Sequence, residues 1–204
     1  MNAYVSAPIS SQFKTLSQDE LMLSLQRSLQ HWDQFSDVWV FAYGSLIWRP
    51  EFEFVEQQPA RLPGFHRSLC LWSRINRGTP DIPGVVFALD QGGECEGVVY
   101  RVAADQVKAT FPALWQREMP SGAYNPRWVE CHTANDHIVS ALTFIINPLT
   151  DAYVPSMPLE QLRHVIHQAH GLNGACIDYV LQTAQALKQA NIADPKLEHL
   201  VQYL

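Results

Sequence analysis

Residues 38–48 read Val-Trp-Val-Phe-Ala-Tyr-Gly-Ser-Leu-Ile-Trp. The first five are strand formers with no polar residue among them, which predicts a short strand, and Gly44-Ser45 ends it in a turn. Glycine lets the backbone bend or come close to a ligand. Successive N–H groups in such a turn form a concavity suited to an anion, and Ser45 and Tyr43 add a hydroxyl and a phenol. An ordinary strand-to-loop turn has the same pattern. Tyr43, Gly44, Ser45 and Leu46 therefore stand as candidates for an anion site, with the plain turn as the alternative.

Working outward, residues 59–101 alternate short apolar runs with turn signals. The runs are Ser68 to Trp72, Val85 to Leu89 and Gly97 to Val102. The signals are Pro63-Gly64, Arg77-Gly78-Thr79-Pro80, Pro83-Gly84 and Gly92-Gly93. Strands at this spacing predict a small barrel or a strongly curved sheet. Arg127 to Cys131 and Ile138 to Ile146 add strands. Upstream, Ser17 and Glu20 form a capping box, and Leu21, Leu25, Leu29 and Trp32 share one face of the helix that follows. From Leu159 the pattern is helical to the end, with a last helix opened by Asp194-Pro195. No repeat and no dividing linker interrupts the chain. The expectation is an α+β protein of one domain, residues 1–204, with 159–204 as C-terminal helices packed on the barrel and the first fifteen residues disordered.

Residues 105–119 have helical periodicity, and Pro112 inside them predicts a kink or the start of a second helix. Measured from Leu114 at ~100° per residue, Val107 lies near ~20°, Phe111 near ~60° and Glu118 near ~40°. Glu118 thus sits within an apolar face. A carboxylate there is paired, protonated or used, and burial raises its pKa toward the range of a general base. An ion pair with an arginine such as Arg74, Arg77 or Arg101 would explain the position equally. The adjoining Arg117 is expected to point elsewhere around the helix.

The net charge of −6 and the lack of any Lys/Arg block argue against nucleic acid or an acidic membrane as partner. Apolar stretches such as Ala141 to Ile146 are far too short to span a bilayer. The first residues lack the basic start and apolar run of a signal peptide, so the expected location is cytoplasmic. The four cysteines show no Cys-x-x-Cys spacing and read as reduced, buried thiols. His164, His167 and His170 step by three and spread over ~120° of a helix, which does not favour a metal site. Cys131 and His132 would face opposite sides of a strand, and no nucleophile elbow or P-loop is present.

The segment 38–48 resembles the opening of the ChaC-like γ-glutamylcyclotransferases. The resemblance continues through Gly64-Phe65-His66-Arg67, Arg77-Gly78-Thr79-Pro80 and Pro83-Gly84-Val85-Val86. It extends over Gly92 to Arg101, Leu114-Trp115-Gln116-Arg117-Glu118-Met119 followed by Tyr124, and Asp194-Pro195-Lys196-Leu197. Ala42 departs from it, standing beside the expected carboxylate pocket where the family often has glycine. Pro120-Ser121 and Gly171-Leu172-Asn173-Gly174 depart too. The resemblance implies a small β-barrel flanked by helices, the γ-glutamylcyclotransferase-like fold. It also implies a reaction without metal or cofactor on a small-molecule substrate, glutathione or another γ-glutamyl peptide, giving 5-oxoproline and Cys-Gly. Glu118 is the implied catalytic base. Tyr43, Gly44, Ser45, Leu46 and Ile47 are the implied substrate-binding residues, with Tyr153 as a weaker candidate and Arg77 as a candidate to hold the glycyl carboxylate of glutathione. The alternatives are a cyclotransferase acting on other γ-glutamyl-amino acids or amines, and a non-catalytic regulator of cation transport.

Overall fold

The structure is a computed structural model that describes residues 15–134 and 137–204. Apart from Thr15, the segment expected to be disordered lies outside the described residues.

The strand read first, β1 (Val38–Ala42), is buried on both faces, which is why it shows no polar alternation. Val38, Val40 and Ala42 face a core shared with the helices, whereas Phe41 and, beyond the strand, Tyr43 join an apolar cluster fed by all the barrel strands. β1 pairs antiparallel with β3 (Gly84–Val102) and parallel with β5 (Ile138–Ile146). Together with β2 (Glu56–Ser73) and β4 (Tyr124–Thr133) they close a barrel in the order β1-β3-β2-β4-β5. Among the described residues, no helix is long and apolar enough to cross a membrane.

The expected separate short strands are instead one long antiparallel ribbon, β2 with β3, from Glu56↔Arg101 to Ser73↔Gly84. Pro63-Gly64 and Gly92-Gly93 do not end strands. The register slips between Pro63 and Phe65, and Gly64 and Gly92 hold φ of +84° and +96°, a region that glycine enters without penalty. A bulge and a turn use the same residues, and only the presence of a partner strand separates them.

Ser17 caps α1 (Gln18–Ser28) as a capping box with Glu20, and Leu21 and Leu25 are buried. The helix α2 (Ala104–Glu118) runs through Pro112 without a second start. Its N-terminus is capped from a distance, Ala104 N–H donating to Asp37 Oδ1 at 3.0 Å. The C-terminal region is less uniformly helical than expected. Between α3 (Leu159–Gln168) and α4 (Cys176–Gln189), a small hairpin pairs β6 (His170–Gly171) with β7 (Gly174–Ala175). The last helix, α5 (Pro195–Tyr203), is capped by Asp194, whose side chain accepts the Leu197 N–H.

Candidate active site

β1 delivers Tyr43 and Gly44 into a single turn of 3-10 helix, Ser45–Ile47. The Ile47 N–H bonds to the Gly44 carbonyl at 3.0 Å, and Trp48 and Arg49 bond to Ser45 at 3.3 and 2.8 Å. Among the described residues, no acceptor takes the N–H groups of Gly44, Ser45 and Leu46. A side chain at Gly44 would place its Cβ 3.1 Å from the Tyr179 hydroxyl, so glycine is what lets that phenol approach. The same hydroxyl accepts the Phe87 N–H at 3.0 Å. Tyr43 donates to the Phe144 carbonyl at 2.7 Å, and its own carbonyl accepts Arg67 Nε at 2.6 Å. Arg67, with its side chain 3% exposed, also pairs with Asp194 and bonds to the Glu96 carbonyl. The start of the turn is therefore pinned to the cap of the last helix.

Glu118 is the final residue of α2, and its side chain is only 14% exposed. Its ion-pair partner is none of the arginines named from the sequence. Arg117 Nε lies 3.0 Å from Glu118 Oε1, correcting the expectation that Arg117 points away. Angular spacing locates Cβ atoms, but at the open end of a helix a long guanidinium side chain can fold back toward its neighbour. Arg117 also reaches Ser45 Oγ at 3.1 Å and Glu51 Oε2 at 2.9 Å. Of the other three arginines, Arg101 is occupied by Asp37 and Glu56, and Arg74 and Arg77 belong to a different wall. Burial raises the Glu118 pKa above the ordinary value of 4.5, while the Arg117 charge and hydrogen bond oppose the rise. The negative end of the helix dipole works in the same direction as burial.

These groups line one cavity of about 430 Å³, within the roughly 300–1,000 Å³ usual for small-ligand sites. Tyr43, Gly44, Ser45, Leu46 and Glu118 come together there, joined by Arg117, Tyr124 and Tyr179. Burial is the largest cause holding the Tyr43, Tyr124 and Tyr179 phenols protonated, and the Glu118 charge adds to it. Ile47 is not part of the lining; its carbonyl accepts the Tyr100 hydroxyl at 3.0 Å. Tyr153 lies apart too, donating to Asp90 Oδ2 at 3.0 Å. Ala42 is fully buried in the helix-facing core rather than beside the cavity. Tyr179 carried no signal in the sequence, since it lies inside the C-terminal helical stretch with no motif around it. Arg77 does line the cavity, from the loop between β2 and β3.

The cysteines are free and buried. Burial pushes the Cys70 and Cys131 thiols up to about 12, and Cys95 and Cys176 to about 11. None supplies a thiolate near neutrality. Among the described residues, no group of three or more His, Cys, Asp and Glu is placed to hold a metal ion.

A family model described as ChaC-like protein matches residues 38–204. The chain is 34% identical to the glutathione-specific gamma-glutamylcyclotransferase of Escherichia coli K12, over 80% of this chain and 71% of that protein. It is 30% identical to the human glutathione-specific gamma-glutamylcyclotransferase 1, over 74% of this chain and 70% of that one. A crystal structure of the yeast γ-glutamyl cyclotransferase specific to glutathione superposes with a TM-score of 0.76 at 23% identity, covering 82% of this chain and 95% of that one. At that identity the yeast structure speaks for the fold.

Proposed function

The chain belongs to the ChaC-like family, and on that premise we propose that it is a glutathione-specific γ-glutamylcyclotransferase. The observation that carries this reading is Glu118, a largely buried carboxylate in the cavity, joined through the single side chain of Arg117 to Ser45 of the turn whose N–H groups are open.

The reaction is an intramolecular aminolysis. The α-ammonium of the γ-glutamyl group, with a pKa near ~8, loses a proton to Glu118. The freed amine attacks the γ-carbonyl carbon and the lactam C–N bond forms. Oxygen takes the charge, and the N–H groups of Ser45 and Leu46 stabilise it. The amide bond to cysteine then breaks as Glu118 gives its proton to the leaving nitrogen. The second proton still on the attacking nitrogen passes through the ionised Glu118 to the departing amine, and 5-oxoproline and Cys-Gly, as its ammonium, result. Nucleophile and electrophile already share one chain, so what the cavity removes is misorientation. Arg117 fixes Glu118 relative to the turn and favours its ionised form, as a base requires. The reaction is placed in the cytoplasm, a setting with which four buried, unpaired thiols agree.

The test is release of 5-oxoproline by the purified protein from glutathione, with γ-Glu-Ala in parallel. Release from glutathione that disappears in Glu118→Gln supports the reading. Release from γ-Glu-Ala alone keeps the chemistry and changes the substrate. Release from neither refutes catalysis.

A further inference from the structure

The second wall of the cavity is built by the loop of residues 74–83 seated on the small hairpin. Leu172 N–H donates to the Ile75 carbonyl at 2.8 Å, and Asn173 N–H to the Asn76 carbonyl at 2.9 Å. Arg77 is held inside this seat. Its N–H donates to Ser73 Oγ at 2.9 Å, and one guanidinium nitrogen donates to the Ala175 carbonyl at 3.2 Å. The guanidinium stands over the rings of Tyr179 and Trp48, 5.6 and 5.9 Å from their centres. The residue is 6% exposed and lines the cavity.

Among the described residues no carboxylate forms an ion pair with it, although Asp178 lies near enough to favour its charged form. Arg49, Arg61, Arg67, Arg101 and Arg117 each have a carboxylate at ion-pair distance, whereas Arg77 has none among the described residues. Aromatic faces attract a cation but carry no net charge. Burial pulls the Arg77 pKa down, as expected where the cost of desolvation is only partly met. A guanidinium has five N–H donors in a planar fork matched to a carboxylate, and among the described residues a single carbonyl accepts from one nitrogen of it. A buried cation aimed into a cavity is stabilised by a ligand that brings the anion.

The geometry points to Arg77 as the specificity-determining residue, pairing with the free carboxylate at the far end of the leaving peptide and so selecting γ-glutamyl peptides over γ-glutamyl amines and esters. The assignment rests on the cyclotransferase reading. The γ-glutamyl end has to lie where Glu118, Ser45 and Leu46 converge. Arg77 comes from another element, with Trp48 and Tyr179 stacked against it, so the carboxylate it meets is the one beyond the scissile bond.

The test varies substrate and enzyme together. KM and kcat for 5-oxoproline release are measured with glutathione and with its glycine-esterified form, on wild type, Arg77→Gln and Arg77→Lys. A hydrogen bond to a charged group corresponds to roughly 10–100-fold in KM, and wild type should favour the acid over the ester by that factor. Arg77→Gln should abolish the preference by raising KM for the acid alone, with kcat little changed, and Arg77→Lys should restore part of it. Equal use of acid and ester by wild type overturns the assignment. So does a loss in Arg77→Gln shared equally by both substrates. Substrate amidated at the glutamyl α-carboxylate forms the remaining arm: if Arg77→Gln erases discrimination there instead, Arg77 holds the other end and the assignment falls. Calorimetric binding of glutathione and its ester to Glu118→Gln reads the same preference without chemistry. A preference seen there, with no turnover by wild type, keeps Arg77 and removes the cyclisation; binding without preference overturns Arg77.

Discussion

The two walls of the cavity handle charge in opposite ways. In the wall made by the 45–47 turn and the end of α2, charges are balanced: Arg117 is shared between Glu118, Glu51 and Ser45, and Arg67 is matched by Asp194. In the wall made by the β2–β3 loop and the hairpin, Arg77 faces the cavity against aromatic rings and a carbonyl, with Asp178 nearby but not in ion-pair contact. Internal balance fixes groups in position before a ligand arrives, which is what a base and an oxyanion site need. An unmatched buried charge waits for its counterpart, which is what recognition needs. On the proposed reading, the contrast separates a wall that performs chemistry from a wall that selects what enters.

The strongest way to break this contrast is Glu118→Gln. Loss of the base should lower 5-oxoproline release by ~10²–10⁴ with the thermal transition nearly unchanged; comparable activity would strip the first wall of its role. Breaking the other balanced pair should act on the fold instead. Arg67→Met leaves Asp194 without its partner and should cost about 3–5 kcal/mol in urea unfolding, because a buried charge is stranded.

Arg117→Gln sharpens the comparison through pH. As the proposed base, Glu118 has to be ionised to act, so kcat/KM should rise as pH passes its raised pKa, and losing Arg117 should move that acid limb to higher pH. Stability runs the other way. With a folded-state pKa above the unfolded one, the contribution of Glu118 is present below the ordinary carboxylate range and is lost as pH rises through the folded value. An unmoved acid limb would mean that Arg117 does not govern the base.

A smaller effect is expected at Gly44→Ala, where the new Cβ presses on the Tyr179 hydroxyl and weakens its bond to Phe87 N–H. A loss of about 1 kcal/mol by thermal unfolding and a raised KM would fit. Arg61→Gln is the smallest. Its pair with Glu94 has side chains 44% and 54% exposed and lies away from the cavity, so stability should change by less than about 1 kcal/mol and turnover not at all.

The first wall was far more legible in the sequence than the second. β1 and the turn after it could be read because strand propensity and a glycine break act over a few residues. Glu118 stood out because helical periodicity alone places it among Leu114, Phe111 and Val107. Arg117 was misread for the complementary reason, since its pairing depends on side-chain reach where the helix stops. Tyr179 gave no sign, because its value lies in meeting Gly44 and Phe87, on other elements. Ile47 and Ala42 belong to the recognisable segment, yet their side chains are placed by the barrel rather than by the cavity.

By itself, the sequence determined the capping box at Ser17, the strand at Val38, the turn at Gly44, the cap at Asp194 and the apolar face that contains Glu118. Each is a matter of propensity, periodicity or hydrogen bonding between residues close along the chain. Tertiary structure alone decided whether Gly64 and Gly92 would be turns or bulges, since that depends on a partner strand being present. It alone brought Arg117 to Ser45, 72 residues apart, and seated the loop bearing Arg77 on a hairpin near the other end of the chain. Such long-range contacts form only when the barrel closes and the helices pack on it, and no local preference encodes which side chains will then meet.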